Sequence, residues 1–134
     1  MTRTRRSLLG LFFLLAASCG GGGGDGPGGQ PGNLTVQFSE TGPTPGAIYF
    51  TVSGGVIDGV TAVNPSSVQV TWFAPAPGTT RIVVTGALAV GDLLTLHVPD
   101  IAAAASYLPL MNQVADNATF ALLGNGPYSL SIHK

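Results

Sequence analysis

The sequence predicts an all-β fold, a single small antiparallel β-sandwich, and three observations support this prediction. From Leu34 onward, apolar residues alternate with polar residues, which is the period of a half-buried strand. Runs rich in glycine, proline, asparagine and aspartate separate the alternating segments, as turns do. The globular part starts at Asn33, and its length of about 100 residues suits one domain with a modest core.

Six segments carry the predicted strands, in chain order LTVQFS (34–39), GAIYFTVSGG (46–55), SVQVTWF (67–73), RIVVTG (81–86), DLLTLHVPD (92–100) and PYSLSIH (127–133). In five of them alternate residues are expected to face the core: Leu34, Val36, Phe38, Ile48, Phe50, Val52, Val68, Val70, Trp72, Leu94, Leu96, Val98, Tyr128, Leu130 and Ile132. The exception, RIVVTG, is β-branched and nearly all apolar, which is typical of a strand covered on both faces. Such strands and turns favour a sandwich.

The segment between Asp100 and Asp116 departs from simple alternation. Asp100 is expected to cap a short helical turn over 101–106, IAAAAS, which Pro109 stops from extending. The following segment, 107–116, alternates weakly. Because proline lacks a backbone donor, Pro109 favours an edge strand there.

The first 18 residues have the three-part pattern of a secretory signal. Three arginines in the first six positions precede the apolar run 8–17, and small residues follow. That run is shorter than the roughly 20 residues that span a bilayer. A buried core helix is the alternative, but a basic start and a polyglycine end do not suit one. We therefore expect residues 1–18 to be a signal peptide.

Arg5 and Arg6, within TRRSLL (4–9), resemble a twin-arginine export motif. Paired arginines also occur in ordinary signals, so general secretion is the favoured route and twin-arginine export the alternative.

Cys19 is the chain's one cysteine, and it lies directly between the apolar segment and five glycines. It has no second cysteine for an intramolecular disulfide, and a glycine run cannot build the electropositive surroundings of a reactive thiol. LLAASC (14–19) resembles the lipobox of bacterial lipoproteins, with the small residues Ala17 and Ser18 before the cysteine and Ala16 where the family prefers leucine. The resemblance implies cleavage before Cys19, its acylation, and anchoring to membrane lipid.

Residues 19–32 are expected to form a disordered, glycine-rich tether to the domain at 33–134. Nine glycines and two prolines lie within 20–32, and such a chain has maximal backbone freedom. A phosphate-binding glycine loop is the alternative. That loop would need a strand before it, a helix after it and a lysine or hydroxyl, and the sequence offers none of them here.

Charge excludes two classes of partner for residues 33–134. These residues hold five acids and two bases, Arg81 and Lys134, which gives a net charge of −3. Two cations cannot neutralise the phosphates of a nucleic acid, nor hold a surface of anionic lipid headgroups. An envelope protein or a glycan, unidentified, is the kind of partner left open for this domain.

The domain is poor in groups for catalysis or metal binding. His97 and His133 fall on the outward faces of their strands, and His97 would need Asp100 and a third ligand to hold a metal. Asp58 and Asp92 adjoin glycines, where aspartate commonly serves a turn, although a calcium role is the alternative. No G-x-S-x-G elbow is present. We expect no catalysis, no cofactor and no metal, and the alternative is a metal-dependent or hydrolytic enzyme using His97 and nearby acids.

Four aromatic residues are candidates for a sugar- or peptide-binding face: Tyr49, Trp72, Phe73 and Tyr107. Trp72 is expected to belong to the core. Phe73 then points outward beside the proline-rich loop after it, which makes it the candidate surface-binding residue.

Two strands resemble those of cohesin-like and related immunoglobulin-like surface sandwiches of bacteria. GAIYFTV (46–52) is similar to their early Gly-x-x-Phe-x-Val strand, and GALAVGDLLTLHV (86–98) to one of their hairpins. The resemblance implies non-covalent display or partner binding. Together with the N-terminus, it leads us to expect a lipid-anchored module of the bacterial cell envelope, outside the cytoplasm and on the outer membrane where the cell has one. Carriage of apolar cargo is a third class of function.

Overall fold

The computed structural model describes residues 29–134. The predicted signal peptide with Arg5, Arg6, Ala17 and Ser18, the lipidation site Cys19, and most of the tether lie outside the described residues. Nine strands and one short helix follow in chain order: β1 Gly32–Glu40, β2 Pro45–Ser53, β3 Gly59–Ala62, β4 Val68–Ala76, β5 Thr79–Gly86, β6 Gly91–Val98, a 3-10 helix Ile101–Ser106, β7 Leu108–Asp116, β8 Leu122–Leu123 and β9 Tyr128–His133. The predicted all-β fold is confirmed.

The strands form two antiparallel sheets that pack as a sandwich. One sheet has four strands in the order β3-β6-β1-β9, and the other has five in the order β4-β5-β2-β7-β8. The chain crosses between the sheets after β1, β2, β3, β5, β6 and β8. The five-stranded sheet is therefore complete only with β8, and the four-stranded sheet only with the last strand, β9.

The core lies between the inner faces of the two sheets. Alternation along β1 buries Leu34, Val36 and Phe38 completely, and alternation along β2 buries Phe50 and Val52 in the same way. Fully burying a large apolar side chain contributes roughly 1.5–3 kcal/mol. The inward positions predicted for these two strands are thus confirmed.

The prediction that RIVVTG is covered on both faces is wrong. Ile82 and Val84 of β5 are fully buried, whereas Arg81, Val83 and Thr85 are exposed. β5 is hydrogen-bonded on both sides, to β4 and β2, but none of the described elements packs on its outer face. A central position in a sheet was mistaken for cover on two faces, because both give β-branched apolar runs.

Two short strands were not predicted, and the predictions for β4 and β7 are confirmed only in part. Sequence reasoning missed β3 and β8, because strands of four and two residues are too short to display a period. Val70 and Trp72 of β4 point inward but are only partly buried. The edge predicted for β7 exists over its first six residues, since β8 pairs only with Val114 and Ala115.

The short helix after β6 is confirmed. Asp100 caps it by accepting a hydrogen bond from the Ala102 amide at 3.0 Å. Its first residue, Ile101, donates its amide to the Gln30 carbonyl at 2.8 Å. The chain therefore enters the sandwich beside this helix, at what we call the tether end. No helix in the described part of the chain has the length and apolar character to cross a membrane.

Candidate functional site

The outer face of the four-stranded sheet is polar. The strand register places Thr61, Thr95, Thr35 and His133 in one row across all four strands. On the next row away from the tether end, Asp92 and Ser131 flank Gln37. Hydroxyl and amide groups of this kind are already well solvated. This polar face, as we call it, offers little apolar area to a partner.

The outer face of the five-stranded sheet carries an apolar groove, although Gln69, Thr71 and Thr85 also point outward from this sheet. A shallow groove of about 430 Å³ runs across it, lined by Ala47, Ile48, Tyr49, Phe73, Val83, Gln113, Ala115 and Leu122. Register explains the arrangement, because Tyr49 is paired with Val83 on one side and with Gln113 on the other. Phe73 is 52% exposed and Leu122 68% exposed. We call this surface the apolar face, and it is the candidate site.

Arg81 is the one charged side chain that the described strands place on the apolar face. It is paired with Phe73 across β4 and β5, and its guanidinium carbon lies 5.8 Å from the centre of the Phe73 ring. That distance is within the range of a cation–π contact. The cation is therefore held against the aromatic ring at one side of the groove.

A tight loop after β7 borders the other end of the groove. Asp116 accepts hydrogen bonds from the amides of Ala118 and Thr119 and from the Thr119 hydroxyl, at 2.8–3.0 Å. These bonds favour the charged carboxylate, and they hold the pKa of Asp116 below its ordinary value, with the Thr119 amide the largest cause. The loop presents Phe120, 70% exposed and with a positive φ of 56°. For a bulky residue this backbone conformation is uncommon.

His97 lies on the polar face, as predicted, and its neighbours are neutral. Its Nδ1 is 2.7 Å from the Asn33 amide oxygen, which is within hydrogen-bond distance. Its Nε2 lies 3.4 Å from the Thr61 hydroxyl. Asp100, the acid considered as its partner, instead caps the short helix.

The remaining acids are also dispersed. Asp92 is 4.0 Å from His133 on the polar face, and Asp58 donates its amide to the His97 carbonyl in the turn before β3. Within residues 29–134, no three His, Cys, Asp or Glu side chains come together as a metal site would require.

Two tyrosines do not line the groove, and each donates its hydroxyl to a backbone carbonyl in a loop. Tyr107 is 4% exposed and donates its hydroxyl to the Val56 carbonyl at 2.7 Å. Burial raises the pKa of Tyr107, and the carboxylates of Asp58 and Asp100 add to the rise. Tyr128 stacks on Phe38 and donates to the Pro43 carbonyl at 2.6 Å. The prediction that Tyr107 is a candidate for a binding face is therefore wrong, because its ring is used inside the fold.

Phe73 is exposed on an apolar surface as predicted, and Tyr49 lies in the same groove. Sequence reasoning missed Val83, Leu122 and Phe120. Val83 lies between the buried residues Ile82 and Val84. A two-residue period applied to RIVVTG would therefore have predicted that Val83 points outward. The loop residue Phe120 carries no such signal, because hydrogen bonds to Asp116 set its position.

The class of protein that these observations define is a small two-sheet β-sandwich with one polar and one apolar outer face. No protein-family model, curated protein or solved structure was found to match the chain.

Proposed function

We propose that the protein is a bacterial lipoprotein that displays a small β-sandwich binding module outside the cytoplasm. In this proposal Cys19 is acylated and held in membrane lipid, residues 20–32 form the tether, and the apolar face binds an envelope protein or glycan. The observation that carries the binding role is the exposed groove between Phe73 and Leu122. Binding sites are concave and lined mostly by apolar and aromatic side chains, and the groove has both features.

The anchor rests on the sequence around Cys19. Each buried methylene of an acyl chain contributes about 0.8 kcal/mol, and stable anchoring takes more than one chain. A diacylated or triacylated cysteine meets that condition. No aspartate follows Cys19 directly, which is compatible with onward sorting to an outer membrane.

The position of the tether supports display of the apolar face. The described chain begins beside the short helix, and Leu122 and Phe120 lie at the opposite end of the strands, which we call the far end. Within residues 20–32, Gln30 accepts a hydrogen bond from Ile101 and Gly32 begins β1. The glycine-rich coil that remains is residues 20–29, and a coil of ten such residues would span roughly 17 Å. The far end of the groove therefore points away from the attachment point and is open to partners in the envelope.

Anchoring is tested by Cys19→Ala, with Ser18→Ala as the matched control because it keeps a small residue before the cysteine. In cells fed labelled palmitate, Cys19→Ala is expected to lose both the label and the membrane-pellet fraction, whereas Ser18→Ala keeps both. If Cys19→Ala sediments with membranes like the wild type, the anchor is not at Cys19.

Binding through the apolar face is tested by photo-crosslinking in intact cells. A photoreactive residue at Phe73 is expected to give a discrete adduct whose mass differs from that of two copies of this chain, while one at Thr35 on the polar face gives none. Leu122→Ser, at the far side of the groove, should weaken the Phe73 adduct. Protease and glycosidase digestion then distinguish a protein partner from a glycan. Equal labelling from both faces, or none from either, contradicts a partner site on the apolar face.

The alternative is an enzyme that uses His97. Its contacts with Asn33 and Thr61 orient the ring without an acid, and no observation on the described residues favours this alternative. A turnover or metal content that is lost in His97→Ala would establish it in place of the binding role.

A further inference from the structure

The sheet edges of this sandwich are unequally protected. Exposed edges offer unpaired backbone groups to other chains, and proteins protect them by short strands, lysine, proline or bulges. The edge strands β3 and β8 have four and two residues, and β9 has six and is followed by Lys134. β4 is the longest edge, with nine residues and no charge. Its proline and its irregular pairing lie after Phe73, and the Val68 amide donates to the Asn64 carbonyl, so residues 69–73 are unprotected.

The inward side chains of β4 are also incompletely covered. Val70 and Trp72 point toward the core but are only partly buried, while their partners on β5, Val84 and Ile82, are fully buried. β4 has a neighbouring strand, β5, on one side only. On its other side, β3 approaches from the opposite sheet but pairs with β6. One more strand beside β4 would cover both side chains.

We propose that β4 pairs antiparallel with β4 of a second copy of this chain, joining the two five-stranded sheets into one of ten. Pairing centred on Thr71 sets Val70 against Trp72 of the second copy, so each partly buried side chain covers the other. Gln69 then lies opposite Phe73 of the second copy on the outer face. No charged residue in β4 opposes this arrangement, and like charges directly opposite each other are what destabilise such pairs.

The neighbouring turn favours this register over the one centred on Val70. That alternative would extend the pairing to Ser67, whose amide donates to the Asn64 carbonyl and whose carbonyl accepts from Ala87. The Thr71 register stays within β4. The inference goes beyond the proposed function, because it holds whether or not Cys19 is acylated.

The geometry allows a direct test by disulfide formation. Two copies of residue 71 facing each other across antiparallel strands would have Cα atoms about 4.5–5.5 Å apart, within the range of roughly 4.4–6.8 Å that a disulfide takes. The full chain carrying Cys19→Ser and Thr71→Cys has a single thiol. Mild oxidation is expected to convert it to a covalent dimer. Cys19→Ser with Ser131→Cys, at an exposed hydroxyl residue of the edge strand β9, is the matched control and is expected to stay monomeric.

A second measurement does not depend on an introduced cysteine. Sedimentation of the Cys19→Ser chain is expected to give twice the monomer mass, and Thr71→Lys should return it to monomer mass because two ammonium groups would face each other. Thr71→Val should remain a dimer, and circular dichroism verifies that each variant is folded. Monomer mass for the Cys19→Ser chain, or equal crosslinking at positions 71 and 131, would overturn the proposal.

Discussion

The two outer faces of this sandwich are built from strands of the same kind, yet they are suited to different surroundings. Thr35 and Thr95 present hydroxyl groups on the four-stranded sheet, whereas Tyr49 and Val83 occupy equivalent outward positions on the five-stranded sheet. Neither face is needed to form the core, since the core lies between the sheets. The difference teaches that the outward apolar residues of this protein are not explained by the formation of the core, which is why we propose a binding role for them.

The prediction with the largest expected effect compares the free energy of unfolding after substitution of an inward and of an outward residue of β5. Ile82→Ala should lower the free energy of unfolding by about 2–5 kcal/mol, because it leaves a cavity at a fully buried position. Its neighbour Val83 is 36% exposed, and Val83→Thr should change that free energy by no more than about 0.5 kcal/mol. Urea unfolding of the full chain measures both. A loss from Val83→Thr as large as that from Ile82→Ala would mean that the apolar face is part of the core.

The second prediction concerns the surface itself. The double variant Phe73→Ser with Leu122→Ser removes the apolar groups at two sides of the groove. It should lose most of the enhancement of a fluorescent apolar dye that binds the wild type. Thr35→Val with Thr95→Val, the converse change on the polar face, should raise that fluorescence. Unchanged fluorescence in both variants would show that the two faces do not differ in their affinity for apolar groups.

The sequence predicts those parts of the fold in which apolar and polar residues alternate visibly, and it misses the parts in which they do not. Alternation along β1 and β2 identified the core residues, because one face of each strand is buried and the other is wet. The same period exists in β5, but its outward Val83 is as apolar as Ile82 and Val84, so composition concealed it. The groove joins residues from β2, β4, β5, β7 and β8, and only the pairing of strands far apart in sequence brings them together.

The third prediction uses the loop that borders the apolar face. The pKa of Asp116 is lowered in the folded protein, so its carboxylate stabilises the fold above its ordinary pKa of 3.8. That contribution should be lost as the pH falls through the lower pKa of the folded state. Asp116→Asn should therefore lower the thermal midpoint at pH 7, and the difference from the wild type should shrink at acid pH. Thermal unfolding followed by circular dichroism at a series of pH values measures it.

Asp92, which adjoins His133 on the polar face, supplies the control for that experiment. No hydrogen bond from a backbone amide to its carboxylate is found within the described residues, so Asp92→Asn should leave the thermal midpoint at pH 7 nearly unchanged. A similar drop for both variants would mean that general charge, rather than the loop around Asp116, sets the pH dependence.

The smallest effect concerns how the apolar face holds its one cation. Arg81 lies over Phe73 at 5.8 Å, and exposed cation–π contacts contribute about 0.5–1 kcal/mol. A double-mutant cycle with Arg81→Gln and Phe73→Leu should show a coupling free energy of that size in urea unfolding. A cycle that shows no coupling free energy would mean that the Arg81 guanidinium is not held against Phe73 and can lie over the groove. The measured coupling thus decides whether the groove is an apolar surface with the guanidinium held at one side, or a surface with a mobile positive charge.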